Sequence, residues 1–194
     1  MCDYGNGVLS RACGMRRRVD VVVQAVLRRQ PRVLDEVIVV RLVRRRGNVA
    51  QHLGRVLRAR AGDHIALFNG DGQEFAAQVL TVSKGEVSIG VGAAASPQTE
   101  SPVYTTLGLC LSKGDRFDWA IQKATELGVG AIAPLQSERV DFSIPPDRME
   151  KRIAHWQQIA ISACEQCGRV KVPSITPPQS LAVWVESASA EQKW

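Results

Sequence analysis

LSKGDRFDWAIQKATELGV, residues 111–129, decides how this chain folds. The run before it, Val103–Leu111, reads as a strand of the buried type. Ser112–Lys113–Gly114–Asp115 is a tight connection with a capping-box pattern. Phe117, Ala120, Ile121, Ala124 and Leu127 then recur at the spacing of one helical face, and Gly128 stops the helix. Ala131–Leu135 predicts a second strand. Strand, helix and strand with short links form a βαβ unit, which makes the strands parallel and the crossover right-handed.

The pattern continues toward the C-terminus. Pro145–Pro146 opens a longer helix whose Met149, Ile153, Trp156, Ala160, Ala163 and Cys167 share a face. Val170–Pro173 predicts a third short strand, and Leu181–Val185 begins another helix. Toward the N-terminus the texture is different. His64–Phe68, Glu74–Val82 and Glu86–Val91 are strand runs, separated by turns at Asn69–Gly70–Asp71–Gly72 and Ser83–Lys84–Gly85. Asn-Gly and Asp-Gly between strand runs signal a hairpin, so these segments predict a meander in a small antiparallel sheet or barrel. The small, polar, Pro-bounded stretch Gly92–Pro102 marks a linker. Upstream, Asn48 is a plausible N-cap for a short helix built on Val49, Leu53, Val56 and Leu57, with His52, Arg55 and Arg58 on its flank. Val19–Leu27 and Val37–Val43 are apolar enough for strands but end in arginine runs rather than turn residues.

The chain has 194 residues and is 45% hydrophobic, which excludes wholesale disorder and collagen-like or coiled-coil architectures. No stretch approaches the roughly 18 apolar residues of a membrane span. The net charge of +6 is unevenly distributed. Residues 1–60 hold 14 arginines, no lysine and four acids, while residues 61–194 carry a net −4. A basic end on a mildly acidic body points to a polyanionic partner, RNA or DNA, or else to a solvated arginine-rich tail. Five cysteines and no secretory h-region predict reduced thiols and a cytoplasmic protein.

Few motifs carry chemistry. Ser112–Lys113–Gly114 occupies a strand-to-helix junction where backbone amides can hold phosphate, but the glycine-rich loop of a nucleotide triphosphatase is absent. Cys164–Glu165–Gln166–Cys167 is a C-x-x-C at the end of a helix, whereas a thioredoxin-like pair opens one. Zinc would need two further ligands at short spacing, so no metal site is expected, and the pair reads as two small thiols on and beside a core face. There is no GxSxG, HExxH or GxGxxG. Ser137–Glu138–Arg139 follows the second parallel strand, at the end where open α/β sheets form their sites. Glu165, Gln166 and Arg169 cluster at the end of the long helix, and both groups are expected on one sheet edge.

At these residues the chain resembles the ribosomal RNA small subunit methyltransferase E family. The matching stretches are HLGRVLRARAGD (52–63), LFNGDGQEF (67–75), LSKGDRFDWAIQKATELGV (111–129), PLQSERV (134–140) and HWQQIAISACEQCGRVKVP (155–173). The resemblance implies an α+β or α/β chain: a small PUA-like β-barrel followed by an incomplete SPOUT (trefoil-knot) α/β methyltransferase domain. It divides the chain into an atypical segment 1–47, a PUA-like RNA-binding barrel 48–95, a linker 96–102 and the N-terminal part of the methyltransferase domain 103–194. The family's Gly-Pro-Glu-Gly-Gly loop and Leu-Gly-x-Arg-Ile-Leu-Arg-x-Glu-Thr-Ala stretch have no counterpart here. Those cofactor-binding segments are expected beyond Trp194, so the chain is expected to be a fragment.

The family activity implied is S-adenosylmethionine-dependent methylation of N3 of a specific uridine in the 16S rRNA of the small ribosomal subunit, by a homodimer away from any membrane. Uridine N3 is a poor nucleophile until its proton leaves, so the site needs a base or a cation that favours the uridinate. Arg139 and Arg169 are the candidates for charge stabilisation or phosphate positioning. Glu165 is the nearby side chain with base chemistry, alongside its reading as a cap or as the salt-bridge partner of Arg169. His52, Arg55, Arg58 and Arg60 are the expected RNA contacts. The alternatives are a catalytically inactive RNA-binding fragment and a redox or zinc protein built on the C-x-x-C.

Overall fold

The computed structural model describes residues 60–83, 86–138 and 144–187, together with the backbone of two strands, Gln24–Leu27 and Ile38–Val43. The helix predicted from Asn48 lies outside the described residues, and His52, Arg55 and Arg58 with it. The chain divides into two compact units, residues 1–69 with 76–93 and residues 70–75 with 94–194.

The first unit is a five-stranded sheet. Its strands are β1 (Gln24–Leu27), β2 (Ile38–Val43), β3 (His64–Phe68), β4 (Glu74–Val82) and β5 (Glu86–Ala95), in the order β1-β3-β4-β5-β2. The predicted meander is the central β3-β4-β5 run, and β5 continues four residues past Val91 into the stretch read as linker. β1 and β2 close the two sides, antiparallel to β3 and β5. The strand-like runs upstream of Asn48 therefore do enter a sheet. Val87 and Ile89 of β5 and Ala77 and Val79 of β4 are buried in alternation, while β3, with Ile65–Phe68 all buried, is covered on both faces. Gly62 N–H donates to Val79 O at 2.8 Å and Val79 N–H to Asp63 O at 2.9 Å, fixing the approach to β3.

The Asn-Gly-Asp-Gly turn belongs to the second unit. Gly70 and Gly72 have φ of 88° and 106°, conformations that side-chain-bearing residues rarely adopt. Their backbone then pairs with the stretch after the long helix: Val172 N–H donates to Gly70 O at 3.0 Å and Gly72 N–H to Val170 O at 3.1 Å. The strand expected at Val170–Pro173 is thus absent. Only Lys171 forms a bridge there, to Gly70 and Asp71, because the segment is taken up by the turn and ends in Pro173, which has no N–H to donate.

The rest of the second unit is a parallel sheet. β6 (Thr106–Cys110) and β7 (Ala131–Gln136) pair in register from Thr106↔Ala131 to Cys110↔Leu135, as the βαβ reading requires. A third lane beside β7 holds two short strands, β8 (Ser174–Ile175) and β9 (Gln179–Ser180), both parallel to it. Pro177 and Pro178 interrupt that lane, and Pro134 of β7, itself without a donor, falls opposite the gap. Two helices make the crossovers, α1 (Arg116–Glu126) and α2 (Pro146–Cys167). The strand order is sequential and both crossovers are right-handed, so the two helices lie side by side on one face of the sheet. Phe117, Ile121, Trp156 and Ala160 pack there against Leu107, Leu109 and Ile132. The Phe117 and Trp156 rings lie 4.7 Å apart at 46°, a tilted pair worth about 0.5–1.5 kcal/mol beyond the area it buries.

Two local expectations are corrected. No side chain caps α1: Asp115 takes the N-cap position with ψ near 1°, not the extended backbone that lets a cap oxygen reach back. Cys167, placed on the core face of α2 by periodicity, is exposed, and Cys164 is buried instead because the helix ends at Cys167.

A third helix, α3 (Leu181–Ser187), covers part of the opposite face. Trp184 reaches Gly108 of β6, where an added Cβ would stand 2.7 Å from the indole and 2.9 Å from a Leu135 methyl. Gly108→Ala is expected to cost about 1–3 kcal/mol through overpacking. Chemical denaturation of Gly108→Ala, Trp184→Ala and the double variant checks this, the double variant recovering part of the loss if the indole is the obstacle.

Candidate functional site

The parallel sheet has two edges, and the structure separates them by chemistry. The carboxyl edge carries the connection Leu111–Asp115 after β6 and Ser137–Glu138 after β7. Lys113, Asp115 and Arg116 are exposed there, as is Glu138, while Ser137 is half-buried. Arg139 lies outside the described residues. Asp118, on the first turn of α1, is drawn toward α2. Its Oδ2 is 2.8 Å from His155 Nε2, and its Oδ1 is 4.0 Å from an Arg152 terminal nitrogen, too far for a hydrogen bond. The Arg152 guanidinium lies 5.6 Å over the Trp156 ring. The cluster ties the start of α1 to the middle of α2, and sequence reasoning missed it because 37 residues separate Asp118 from His155.

The amino edge is built around Arg169, which is 6% exposed. Its Nε and one terminal nitrogen bind the carboxylate of Glu100, the shortest contact being 2.6 Å. Its other terminal nitrogen donates to Thr125 O at 2.8 Å and Val129 O at 3.1 Å. Burial alone would lower the pKa of this guanidinium, but hydrogen bonds and charge from Glu100 outweigh that and hold it above its ordinary value. Every direction of the fork is engaged within the unit, and its partner is Glu100 rather than the expected Glu165.

The Glu165–Arg169 group and the Ser137–Arg139 group were expected on one sheet edge; among the described residues, Ser137 and Glu138 do not lie at the edge that holds Arg169. Arg169 binds the carbonyl of Val129, just before β7, whereas Ser137 and Glu138 follow its other end. A six-residue strand separates them, roughly 17 Å of chain. Topology is the reason: α2 is the crossover from β7 to the parallel β8, so its C-terminus must return to the amino edge. Glu165 is half-buried near that end. In the first unit, Arg60 is exposed, and its backbone N–H donates to Asp63 Oδ2 at 2.6 Å.

The C-x-x-C is not poised for thiolate chemistry. Burial pushes the Cys164 thiol up to about 12, against the lowering influence of Arg169, and its Sγ is directed at Lys171 O at 3.6 Å. Cys167 Sγ points back to Cys164 O at 3.9 Å. A reactive thiol is depressed below its free value, not raised above it.

A cavity of about 90 Å³ opens at the amino edge, lined by Glu100, Tyr104, Gly128, Gly130, Arg169 and Lys171 among others. Pockets for drug-sized molecules run to roughly 300–1,000 Å³, so it does not fit a molecule the size of S-adenosylmethionine. It also lies at the wrong end of the strands for a site in an open α/β sheet.

Two outcomes follow for the amino edge. Arg169→Met leaves Glu100 and two carbonyls unanswered and is expected to cost about 2–4 kcal/mol, with Glu100→Gln nearer 1–2, by urea denaturation. The folded-state pKa of Cys164 lies above its unfolded value near 9, so its contribution is complete below pH 9 and is lost as pH rises toward 12. Alkaline unfolding should therefore steepen by up to ~1.4 kcal/mol per pH unit in that window. Cys164→Ala should flatten that slope.

The comparisons agree with this geometry. A family model described as an RNA methyltransferase PUA domain matches residues 46–91, and one described as an RNA methyltransferase domain matches residues 99–193. Ribosomal RNA small subunit methyltransferase E of Buchnera aphidicola (subsp. Schizaphis graminum) is 33% identical over 133 residues, 69% of this chain and 54% of that protein. The Bacillus subtilis protein of the same name is 34% identical over 129 residues, 66% of this chain and 50% of its own length. The chain thus spans about half the length of the curated relatives it matches. A putative methyltransferase from Legionella pneumophila, solved with bound cofactor SAM, superposes with a TM-score of 0.75 at 36% identity over 84% of this chain and 66% of that one. Ribosomal RNA small subunit methyltransferase E from Neisseria gonorrhoeae bound to S-adenosyl methionine gives 0.73 at 36% identity over 84% and 65%. The architecture is a PUA-like β unit with a SPOUT-type α/β unit. By sequence and by fold, the chain belongs to the ribosomal RNA small subunit methyltransferase E family.

Proposed function

We propose that this chain serves S-adenosylmethionine-dependent methylation of ribosomal RNA, at N3 of a specific uridine in the 16S rRNA of the small subunit. The observation that carries this reading is the pair of RNA methyltransferase family matches, joined to 36% identity with solved structures that hold S-adenosylmethionine. No helix among the described residues is long and apolar enough to cross a membrane, in keeping with a protein that meets ribosomal subunits in the cytoplasm. The amino-edge cavity is too small for the methyl donor, so its lining residues are assigned none of that binding.

The roles divide by position. Residues 48–95 form the RNA-binding PUA-like domain, 96–102 the linker and 103–194 the methyltransferase part, as the sequence reading has it. His52, Arg55, Arg58 and Arg60 contact the RNA backbone, where each cation displaces a condensed counterion. Arg139, just beyond the carboxyl end of β7, stabilises the negative charge that uridine acquires as its N3 proton leaves. Arg169 is a positioning residue, since its guanidinium is spent on Glu100 and two carbonyls. Glu165 lies at the same edge as Arg169 and supports the α2 terminus rather than taking the proton. The active assembly is a homodimer.

Methyl transfer to 16S rRNA from a strain lacking the modification tests the proposal, with nucleoside digestion and mass spectrometry. The expected product is 3-methyluridine at one site. Arg139→Ala should lower the rate by 10²-fold or more, the usual cost of removing a transition-state charge stabiliser. Methylation at a base carbon or a ribose hydroxyl would contradict it.

A further inference from the structure

The outer face of α1 has a feature that neither the fold nor the roles above absorb. Phe117 and Ile121 take its inward face, at 1% and 0% exposure. Trp119, about 200° around the helix from Phe117, is 63% exposed. An exposed indole is a platform on which a planar group can stack. Arg116 is one turn before it on the same face, and Lys113 is in the connection that leads into the helix. Both are exposed, and neither enters an ion pair among the described residues. Of the nearby acids, Asp118 is held by His155 and Glu126 by Lys123 at 2.8 Å, leaving Asp115 alone beside two free cations. The group stands at the carboxyl edge of the sheet.

We propose that Lys113, Arg116 and Trp119 form an RNA-contact surface on the α/β unit, with Trp119 stacking on an unstacked base and the two cations meeting the flanking phosphates. This rests on the reading of the chain as an RNA methyltransferase. Every base has a π face, and single-stranded RNA offers it with a phosphate on either side, which matches an indole between two cations. An interface with a second copy of the chain would be expected to exclude charge from its centre, whereas here the cations border the ring.

The test is titration of the chain with a single-stranded uridine-rich RNA, followed by fluorescence anisotropy at several salt concentrations. Trp119→Ala should weaken binding roughly 5- to 100-fold and Trp119→Phe should restore most of it. Lys113→Ala and Arg116→Ala should each lower the slope of log affinity against log salt by about one. Leu127→Ala, on the same helix but away from both cations, should bind as wild type, and all variants should melt as wild type. If wild type binds RNA and Trp119→Ala binds it equally well, the surface is misassigned while the family reading stands. If wild type binds no RNA at any salt, both fall. A shift of Trp119→Ala to a smaller sedimenting species, with RNA affinity unchanged, would make the surface a contact between copies and overturn the proposal.

Discussion

The guanidinium of Arg169 joins three stretches that are far apart in the chain. It holds Glu100, 69 residues upstream, the end of α1 through Thr125 O, and the entry to β7 through Val129 O. Burying a cation is costly unless partners answer its donors, and here a carboxylate and two carbonyls engage all three guanidinium nitrogens. The arrangement fixes where the segment before β6 meets the sheet and where α2 must end. One edge of the α/β unit is thereby spent on cohesion, and the opposite edge is left open.

That division follows from elementary geometry. α2 is the crossover between the parallel strands β7 and β8, so it returns its C-terminus to the amino edge. The cations of the Lys113 connection and the Ser137–Glu138 turn remain at the carboxyl edge, with the Asp118–His155 contact bracing the start of α1 against the middle of α2. On the other face, Gly108 makes room for Trp184, so α3 lies close over β6. Cohesion and chemistry therefore occupy different ends of the same strands.

Much of this was legible in the amino-acid sequence. β3 and β4 have the predicted bounds, His64–Phe68 and Glu74–Val82, because Asn-Gly-Asp-Gly chemistry frames them. The βαβ unit follows from the periodicity of Phe117, Ala120, Ile121 and Ala124 and the glycine stop, whereas Leu127, placed on the same face by spacing, is exposed because the helix ends at Glu126. What was not legible depends on tertiary contact. Nothing local marks Glu100 as the partner of Arg169. The segment Val170–Pro173 has the composition of a strand, but it pairs with a turn from residues 70–72. Ser112–Asp115 has the letters of a capping box without the backbone geometry. Arg169 stands at the amino edge because α2 is the crossover between the parallel strands β7 and β8, whereas Ser137 and Glu138 follow the carboxyl end of β7.

The central claim, that RNA meets the carboxyl edge while the amino edge is structural, is tested most directly by ultraviolet crosslinking of the chain to 16S rRNA followed by peptide mass spectrometry. Crosslinks are expected on the peptides carrying Lys113–Trp119 and Ser137–Arg139. Crosslinks concentrated instead on Tyr104 and Lys171, beside the Arg169 ion pair, would contradict the account.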